Sequence, residues 1–146
     1  MSDTHFLFHI VFATKERLPL IKPEWENDLY RYIAGIIKNR GGEAIEINGM
    51  PDHVHIFARL TLKEPFPDLM RESKASSSRW IRQHHDPTFR WQRRYGAFSV
   101  SEPASDAARK YIRGQKQHHS KQNFEDEYRG LLTRHRVEFD ERYVWE

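Results

Sequence analysis

Apolar residues near the start of the chain alternate on two faces. In residues 5–13, Phe6, Phe8, Ile10 and Phe12 share one side and His5, Leu7, His9 and Val11 the other. Successive side chains of a strand point to opposite faces, so this two-sided run predicts a central strand. Residues 14–23 form a basic loop ending at Pro23, a residue suited to a first helical turn. The period then changes. From Pro23 to Arg40 the apolar positions are Trp25, Leu29, Tyr32, Ile33, Ile36 and Ile37, a helical spacing that Gly41-Gly42 closes. Residues 43–49 read as a strand with Ile45 and Ile47 inward and Glu46 and Asn48 on the other face. Met50-Pro51-Asp52 is a tight connection, which makes residues 53–61 its hairpin partner.

A second helix is expected over 66–85, with Leu69, Met70, Trp80 and Ile81 as its apolar stripe. Residues 86–95 are a loop, and Ala97 to Ser101 a short strand with Phe98 and Val100 on one face. Pro103 opens a third helix running to about His119. Asn123 caps a fourth, in which Phe124, Tyr128, Leu131 and Leu132 repeat at helical spacing. The tail, with Phe139, Tyr143, Val144 and Trp145, is aromatic enough to dock. The order is β-α-β-β-α-β-α-α, and its first six elements follow the split βαβ, ferredoxin-like order. The expected class is α+β: an antiparallel sheet with helices on one face, the other face left available, where the extra C-terminal helices have somewhere to pack. A length of 146 residues favours a single domain over 1–146.

Composition removes some chemistries. The chain has no cysteine, which excludes disulfides, thiolate zinc sites and cysteine nucleophiles. No apolar run is long enough to span a bilayer and no signal-peptide pattern opens the chain, so a cytoplasmic protein without membrane association is expected. Net charge is +3 and the isoelectric point about 9.2. That balance is only mildly basic, so the placement of charge matters more than its sum.

His53-Val54-His55 stands at the head of the second hairpin strand. Residues i and i+2 of a strand project from one face, so both imidazoles can serve as ligands to one metal ion. Val54, Ile56, Ala58 and Leu60 then face the core, leaving the histidine face open for chemistry. On the third helix, Tyr111 and Gln115 are four apart and share a face. A tyrosine hydroxyl is a competent nucleophile when its electrophile is polarised, which a divalent metal on a phosphate does. His53, His55 and Gln115 would hold that ion and Tyr111 would attack phosphorus. Each residue also has an ordinary role open to it: satisfied histidines, a packing tyrosine, a helix-surface glutamine. His118 and His119 read most simply as last-turn residues complementing the helix dipole.

A third feature is Thr88-Phe89-Arg90-Trp91-Gln92-Arg93-Arg94-Tyr95-Gly96, where aromatics and arginines interleave. Stacking faces beside guanidinium groups suit single-stranded nucleic acid. Equally, Phe89 and Trp91 can plug the core while the arginines stay solvated. Lys15, Arg17, Lys74, Arg90, Trp91, Arg93 and Arg94 are the candidate nucleic-acid contacts, with an ordinary charged surface as the plain alternative for any single cation.

Together these residues resemble the small single-tyrosine transposases of bacterial insertion sequences, the insertion-sequence-200-like type within the HUH endonuclease superfamily. The resemblance runs through Ile10-Val11-Phe12-Ala13-Thr14-Lys15, Asn48-Gly49-Met50-Pro51-Asp52-His53-Val54-His55 and Tyr95-Gly96-Ala97-Phe98-Ser99-Val100-Ser101. It ends in Tyr111-Ile112, Gln115, His118-His119 and Phe124-Glu125-Asp126-Glu127-Tyr128. It implies an endonuclease and strand transferase acting on single-stranded DNA that carries hairpins near the element's ends. His53 and His55 match the family's histidine pair, Gln115 its third ligand to magnesium or manganese, and Tyr111 its nucleophile. The attack gives a 5′-phosphotyrosine and a free 3′-hydroxyl. The resemblance also implies a homodimer in which one subunit's tyrosine helix can complete the other's site. Gly114, between nucleophile and glutamine, lowers helix propensity there by about 1 kcal/mol relative to alanine. Two other functions fit the same residues: a non-catalytic single-strand binding module, and a metallohydrolase using His53, His55 and an activated water. An obvious third acidic or histidine ligand for the latter is missing from the strand.

Overall fold

The computed structural model describes residues 2–118 and 122–146. Four strands form one antiparallel sheet: β1 (Phe6–Ala13), β2 (Glu43–Met50), β3 (His53–Leu60) and β4 (Gly96–Val100), in the spatial order β2-β3-β1-β4. Helices α1 (Pro23–Asn39) and α2 (Phe66–His84) cover one face, as the split βαβ order requires. Ile10 and Phe12 of β1 and Val54, Ile56, Ala58 and Leu60 of β3 meet Leu29, Ile33, Ile37 and Ile81 there. Alternation in β1 and β3 is thus realised as read from the sequence. Strand β4 begins one residue earlier than expected, at Gly96.

The histidine face of the sheet is not open. Helices α3 (Ser105–Arg113), α4 (Gln115–His118) and α5 (Phe124–Arg134) cover it, and His53 and His55 are both 0% exposed. Val11, Ala13 and Phe98 pack there against Phe124, Tyr128, Leu131 and Leu132. Helices α3 and α5 present apolar residues that water would otherwise meet, and the free sheet face covers them. The tail docks in part: Val144 is buried in the same cluster, whereas Val137 and Tyr143 are exposed.

Two further readings are corrected. The third helix is not continuous. A 3₁₀ turn over Glu102–Ala104 precedes α3, a turn at Gly114 separates α3 from α4, and His119 lies outside the described residues. In β2, Ile45 and Ile47 do not share a face. Ala44 pairs with Ala58 and Glu46 with Phe57, so a bulge absorbs Ile45. Ile45 joins Leu7, Phe57 and Ile112 under α3, while Ile47 packs against the α1–α2 core.

Beyond the bulge, Glu46 and Asn48 clamp the tyrosine-bearing helix, and Asn48 stands opposite His55 in the strand ladder. Arg113 donates to Glu46 Oε1 at 2.9 Å, and Asn48 Nδ2 donates to the Arg113 carbonyl at 3.0 Å. Lys116 adds bonds to Asn48 Oδ1 and the Gly49 carbonyl and an ion pair with Glu26 at 2.9 Å. Among the described residues no helix is long and apolar enough to cross a membrane.

Gly49 pairs with Val54 at the head of the hairpin that carries the histidines. A Cβ built there would lie 2.2 Å from the His53 carbonyl oxygen and 2.9 Å from Val54 Cα. Backbone cannot yield as a flexible side chain does. Gly49→Ala is expected to cost about 3 kcal/mol or more, read as a lower urea midpoint at unchanged m-value.

Candidate metal and tyrosine centre

The tight turn before β3 and the strand's period of two place His53 and His55 side by side, ring centroids 5.1 Å apart. Between them and the covering helices lies the carboxylate of Glu127, 2% exposed. Its Oε1 is 3.0 Å from His55 Nε2 and 3.4 Å from His53 Nε2. Its Oε2 accepts from Gln115 Nε2 at 3.0 Å and from the Tyr111 hydroxyl in a short hydrogen bond. Gln115 Oε1 stands 3.2 Å from His53 Nε2. Tyr111, Gln115, His53 and His55 therefore converge within one chain; their spacing had placed each pair on one face and left open whether the two pairs meet.

Glu127 was missed from sequence, and a signal for it existed. Phe124, Glu127, Tyr128 and Leu131 fall on one face of α5. An acid inside an apolar stripe is costly to bury unless something pairs it, so its position marks it. Asn123 fixes where that helix starts, its side chain accepting from the Asp126 amide at 2.9 Å. Phe124 then packs on His53, ring centroids 4.4 Å apart.

Two more residues complete the surroundings. His53 Nδ1 meets Asp52 Oδ1 at 2.7 Å, and His55 Nδ1 meets His9 Nε2 of β1 at 2.7 Å. Burial opposes a charge on His53, yet hydrogen bonds to Asp52 and Glu127 outweigh it and raise its pKa. Burial, reinforced by His55, lowers His9 to about 3. Burial and then the bond to Glu127 push the Tyr111 hydroxyl upward, so it stays protonated in this arrangement.

His53, His55 and Glu127 offer donor atoms that all lie within 4.8 Å of one another. Donors 3.0–3.4 Å apart suit neighbouring ligands on one ion about 2.1 Å from each. Two imidazoles, a carboxylate and the Gln115 amide oxygen fit a divalent metal.

The candidate DNA residues do not all line one cavity. Lys74, Arg90, Trp91 and Arg93 line a cavity of about 400 Å³ beside α2. Three of the four are already engaged, Arg90 through a bond from Nη1 to the Phe89 carbonyl at 3.0 Å. Lys74 Nζ donates to the carbonyls of Gln92, Arg93 and Arg94, at 2.5, 2.8 and 3.3 Å, and burial lowers its pKa to about 8. It staples the loop. Trp91 is wedged edge-on between Phe12 and Phe89, at 4.7 and 4.8 Å, with its indole N–H on Ser77. The core-plugging reading thus holds for Phe89 and, in large part, for Trp91. Arg17 lies outside this cavity, paired with Glu125 at 2.9 Å and over the Trp145 ring. Lys15 and Arg94 are exposed and also lie outside it.

A different cavity, of about 440 Å³, reaches the centre itself. Tyr111 and Glu127 form part of its wall, with His118, Gln122, Thr133 and Arg134. Arg129 also borders it but is held by Glu141 at 2.7 Å. Arg134 has no acidic partner among the described residues; its Nε donates to the Gly130 carbonyl of its own helix.

Residues 2–115 match the family described as IS200-like transposases. The chain belongs to that family. Among IS200-like relatives, ISDra2 transposase TnpA of Deinococcus radiodurans is 27% identical over 116 residues, spanning 74% of this chain and 82% of that protein. The crystal structure of a Deinococcus radiodurans R1 protein assigned as a transposase superimposes with a TM-score of 0.60 at 26% identity, over 78% of this chain and 93% of the other. A REP-associated tyrosine transposase bound to a REP hairpin gives a TM-score of 0.62 at 16% identity, over 82% and 74%. The last likeness is one of fold. The IS200-like family match ends at Gln115, so Glu127 lies beyond it.

The buried neutral His9 sets a pH dependence of stability. Its folded pKa of about 3 lies below the ordinary value of about 6.5. Between those values the unfolded chain binds the extra proton, so stability rises with pH across that window. The slope from this residue is at most about 1.4 kcal/mol per pH unit. Urea unfolding at pH 4 and pH 6 should show wild type losing more stability on acidification than His9→Phe; equal losses would contradict it.

Proposed function

We propose that this IS200-like transposase is a metal-dependent single-stranded DNA endonuclease and strand transferase, with Tyr111 as nucleophile and His53, His55 and Glu127, assisted by Gln115, as metal ligands. The observation that carries this reading is the shared carboxylate. Glu127 turns one oxygen toward both histidines and the other toward the tyrosine hydroxyl. When bound, magnesium or manganese would supply Lewis-acid polarisation of the scissile phosphate.

The chain's own groups do the rest. The 440 Å³ cavity lets a phosphodiester approach the Tyr111 hydroxyl, and Arg134 in its wall offers a cation to it. As the Tyr111 oxygen bonds to phosphorus, its proton passes to Glu127 Oε2, the acceptor it already faces. The bond from phosphorus to the 3′ oxygen breaks, leaving a 5′-phosphotyrosine and, once that oxygen is protonated, a 3′-hydroxyl. A 3′-hydroxyl from another end reverses these steps, and the proton returns to Tyr111. Gln115 holds the Glu127 carboxylate between the two tasks through its 3.0 Å bond. Tyr111 and the histidines belong to the same chain, so a second copy is not needed to supply the nucleophile. In this reading the substrate is single-stranded DNA bearing element-end hairpins, met by Lys15, Arg90, Arg93 and Arg94. A homodimer would be an assembly of complete sites.

One observation also favours the metallohydrolase reading. The acidic ligand missing from the strand is provided in space by Glu127. Incubation with element-end oligonucleotides and Mn²⁺ separates the two. Wild type should form a covalent adduct that survives a denaturing gel, and Tyr111→Phe should form none. Cleavage that persists undiminished in Tyr111→Phe would overturn the nucleophile and favour an activated water. Glu127→Gln should lower the adduct-forming rate by 10²-fold or more, on the scale of general acid–base catalysis at roughly 10²–10⁴.

A further inference from the structure

The proposed chemistry leaves His9 without a part, although it is buried against the centre. Its Nε2 lies 2.7 Å from His55 Nδ1, and its ring meets Phe98 and Tyr111 edge-on, at 6.4 and 6.0 Å between centroids. Neither neighbour competes for that nitrogen: Phe98 carries no polar atom, and the Tyr111 hydroxyl is taken by Glu127. The partner of His53 is of another kind. An ionised Asp52 only accepts, so at 2.7 Å it keeps the proton on His53 Nδ1. A neutral imidazole either donates or accepts through a given nitrogen, according to its tautomer.

That freedom matches what His55 needs. Without an ion, His55 Nε2 faces Glu127 Oε1 at 3.0 Å and can satisfy it only by donating a proton. The neutral His55 ring then has a bare Nδ1, which needs a donor. With an ion on Nε2, the single ring proton must sit on Nδ1, which then needs an acceptor. A carboxylate at position 9 would serve only the second state and would bury another anion close to Glu127.

We infer that His9 is a positioning residue for His55, whose hydrogen bond to His55 Nδ1 reverses direction when a divalent ion takes Nε2. It rests on the metal centre proposed above. Each ring keeps one proton throughout. In both His9 and His55 that proton moves from Nε2 to Nδ1, so the ion meets a bare His55 nitrogen and neither ring gains charge. The family match and the chemistry of Tyr111 give His9 no such part; its position on β1 and the 2.7 Å contact do.

The test uses the full chain and the metal alone, without DNA. Calorimetric titration with Mn²⁺ should show His9→Phe binding roughly 10–100-fold more weakly than wild type, the range for losing an outer-shell partner of a ligand. His9→Gln, whose amide can donate or accept, should recover most of that loss; thermal melting confirms that both variants are folded. Imidazole ¹⁵N shifts of the wild type, with His9 assigned from its absence in His9→Gln, should move His9 from protonated Nε2 to protonated Nδ1 on saturation with Mg²⁺. Equal Mn²⁺ affinity in wild type and His9→Phe, or a His9 tautomer unmoved by bound Mg²⁺, overturns the inference while leaving the metal centre standing. Wild type that binds neither ion overturns the metal centre and this inference with it.

Discussion

A carboxylate buried between a sheet and three helices has to be satisfied there. Glu127 is 2% exposed, and its partners come from three elements: His53 and His55 from β3, Tyr111 from α3 and Gln115 from α4. Removing one partner of a buried charge typically costs about 3–5 kcal/mol, because the other is left uncompensated. Apolar burial by Phe124, Tyr128, Leu131 and Leu132 holds α5 on the sheet but has no direction. The carboxylate supplies the direction. It sets which turn of α5 faces the histidines, and so where α3 and α4 present their side chains. A water-poor pocket of oriented acceptors is also what a hard divalent cation seeks, so the fold's least comfortable group is the one its proposed chemistry uses.

The sheet separates two kinds of work. Alternate residues of β1 and β3 feed the α1–α2 core on one side and the Glu127 centre on the other. The two sides meet where β1 ends. Thr14 donates its amide to the Asp52 carbonyl at 2.9 Å and bridges Trp91, while the Lys15 amide bonds the Arg90 carbonyl at 3.0 Å. The arginine-bearing loop and the turn before His53 thus share one backbone junction. In the proposed function, single-stranded DNA that touches both would pass that end of the sheet, with the Lys74 staple holding the loop's shape.

The elements were legible in sequence because their periods are clean. The two-sided alternation of β1, the stripe of α1 and the hairpin around Pro51 each allow one reading, and they fix the sheet order. The His-x-His pair, Tyr111 and Gln115 were legible because strand and helix periods both bring spaced residues to one face. The free side of the sheet was legible as a place for the C-terminal helices, but the histidines on it were expected to stay open and are instead buried, because the apolar residues of α3 and α5 cover that side. The Ile45 bulge was invisible: nothing in Glu43–Met50 marks an extra residue, and only pairing with β3 reveals it. His9 was visible as a polar residue on a strand's second apolar face, but its partner lies 46 positions away. Among the basic residues, charge alone could not distinguish Lys74, occupied by three carbonyls, from Arg134, which faces a cavity.

Gly114 shows why a weak helix still holds a demanding geometry. The backbone does not let go at this residue: its amide bonds the Lys110 carbonyl at 3.0 Å, and the His118 amide returns to its own carbonyl at 2.9 Å. Its φ of −86° is open to any residue, and a Cβ there would sit 3.4 Å from the nearest backbone oxygen. Glycine is therefore not demanded by conformation or by space. It softens the turn without displacing it, and the register of Tyr111 and Gln115 survives because tertiary bonds hold both sides. Asn48 fixes the Arg113 carbonyl before the break, and Lys116 grips the Gly49 carbonyl and Glu26 after it. Propensity is overruled here by anchoring to the edge of β2, and that anchoring keeps the tyrosine over the histidines of its own chain.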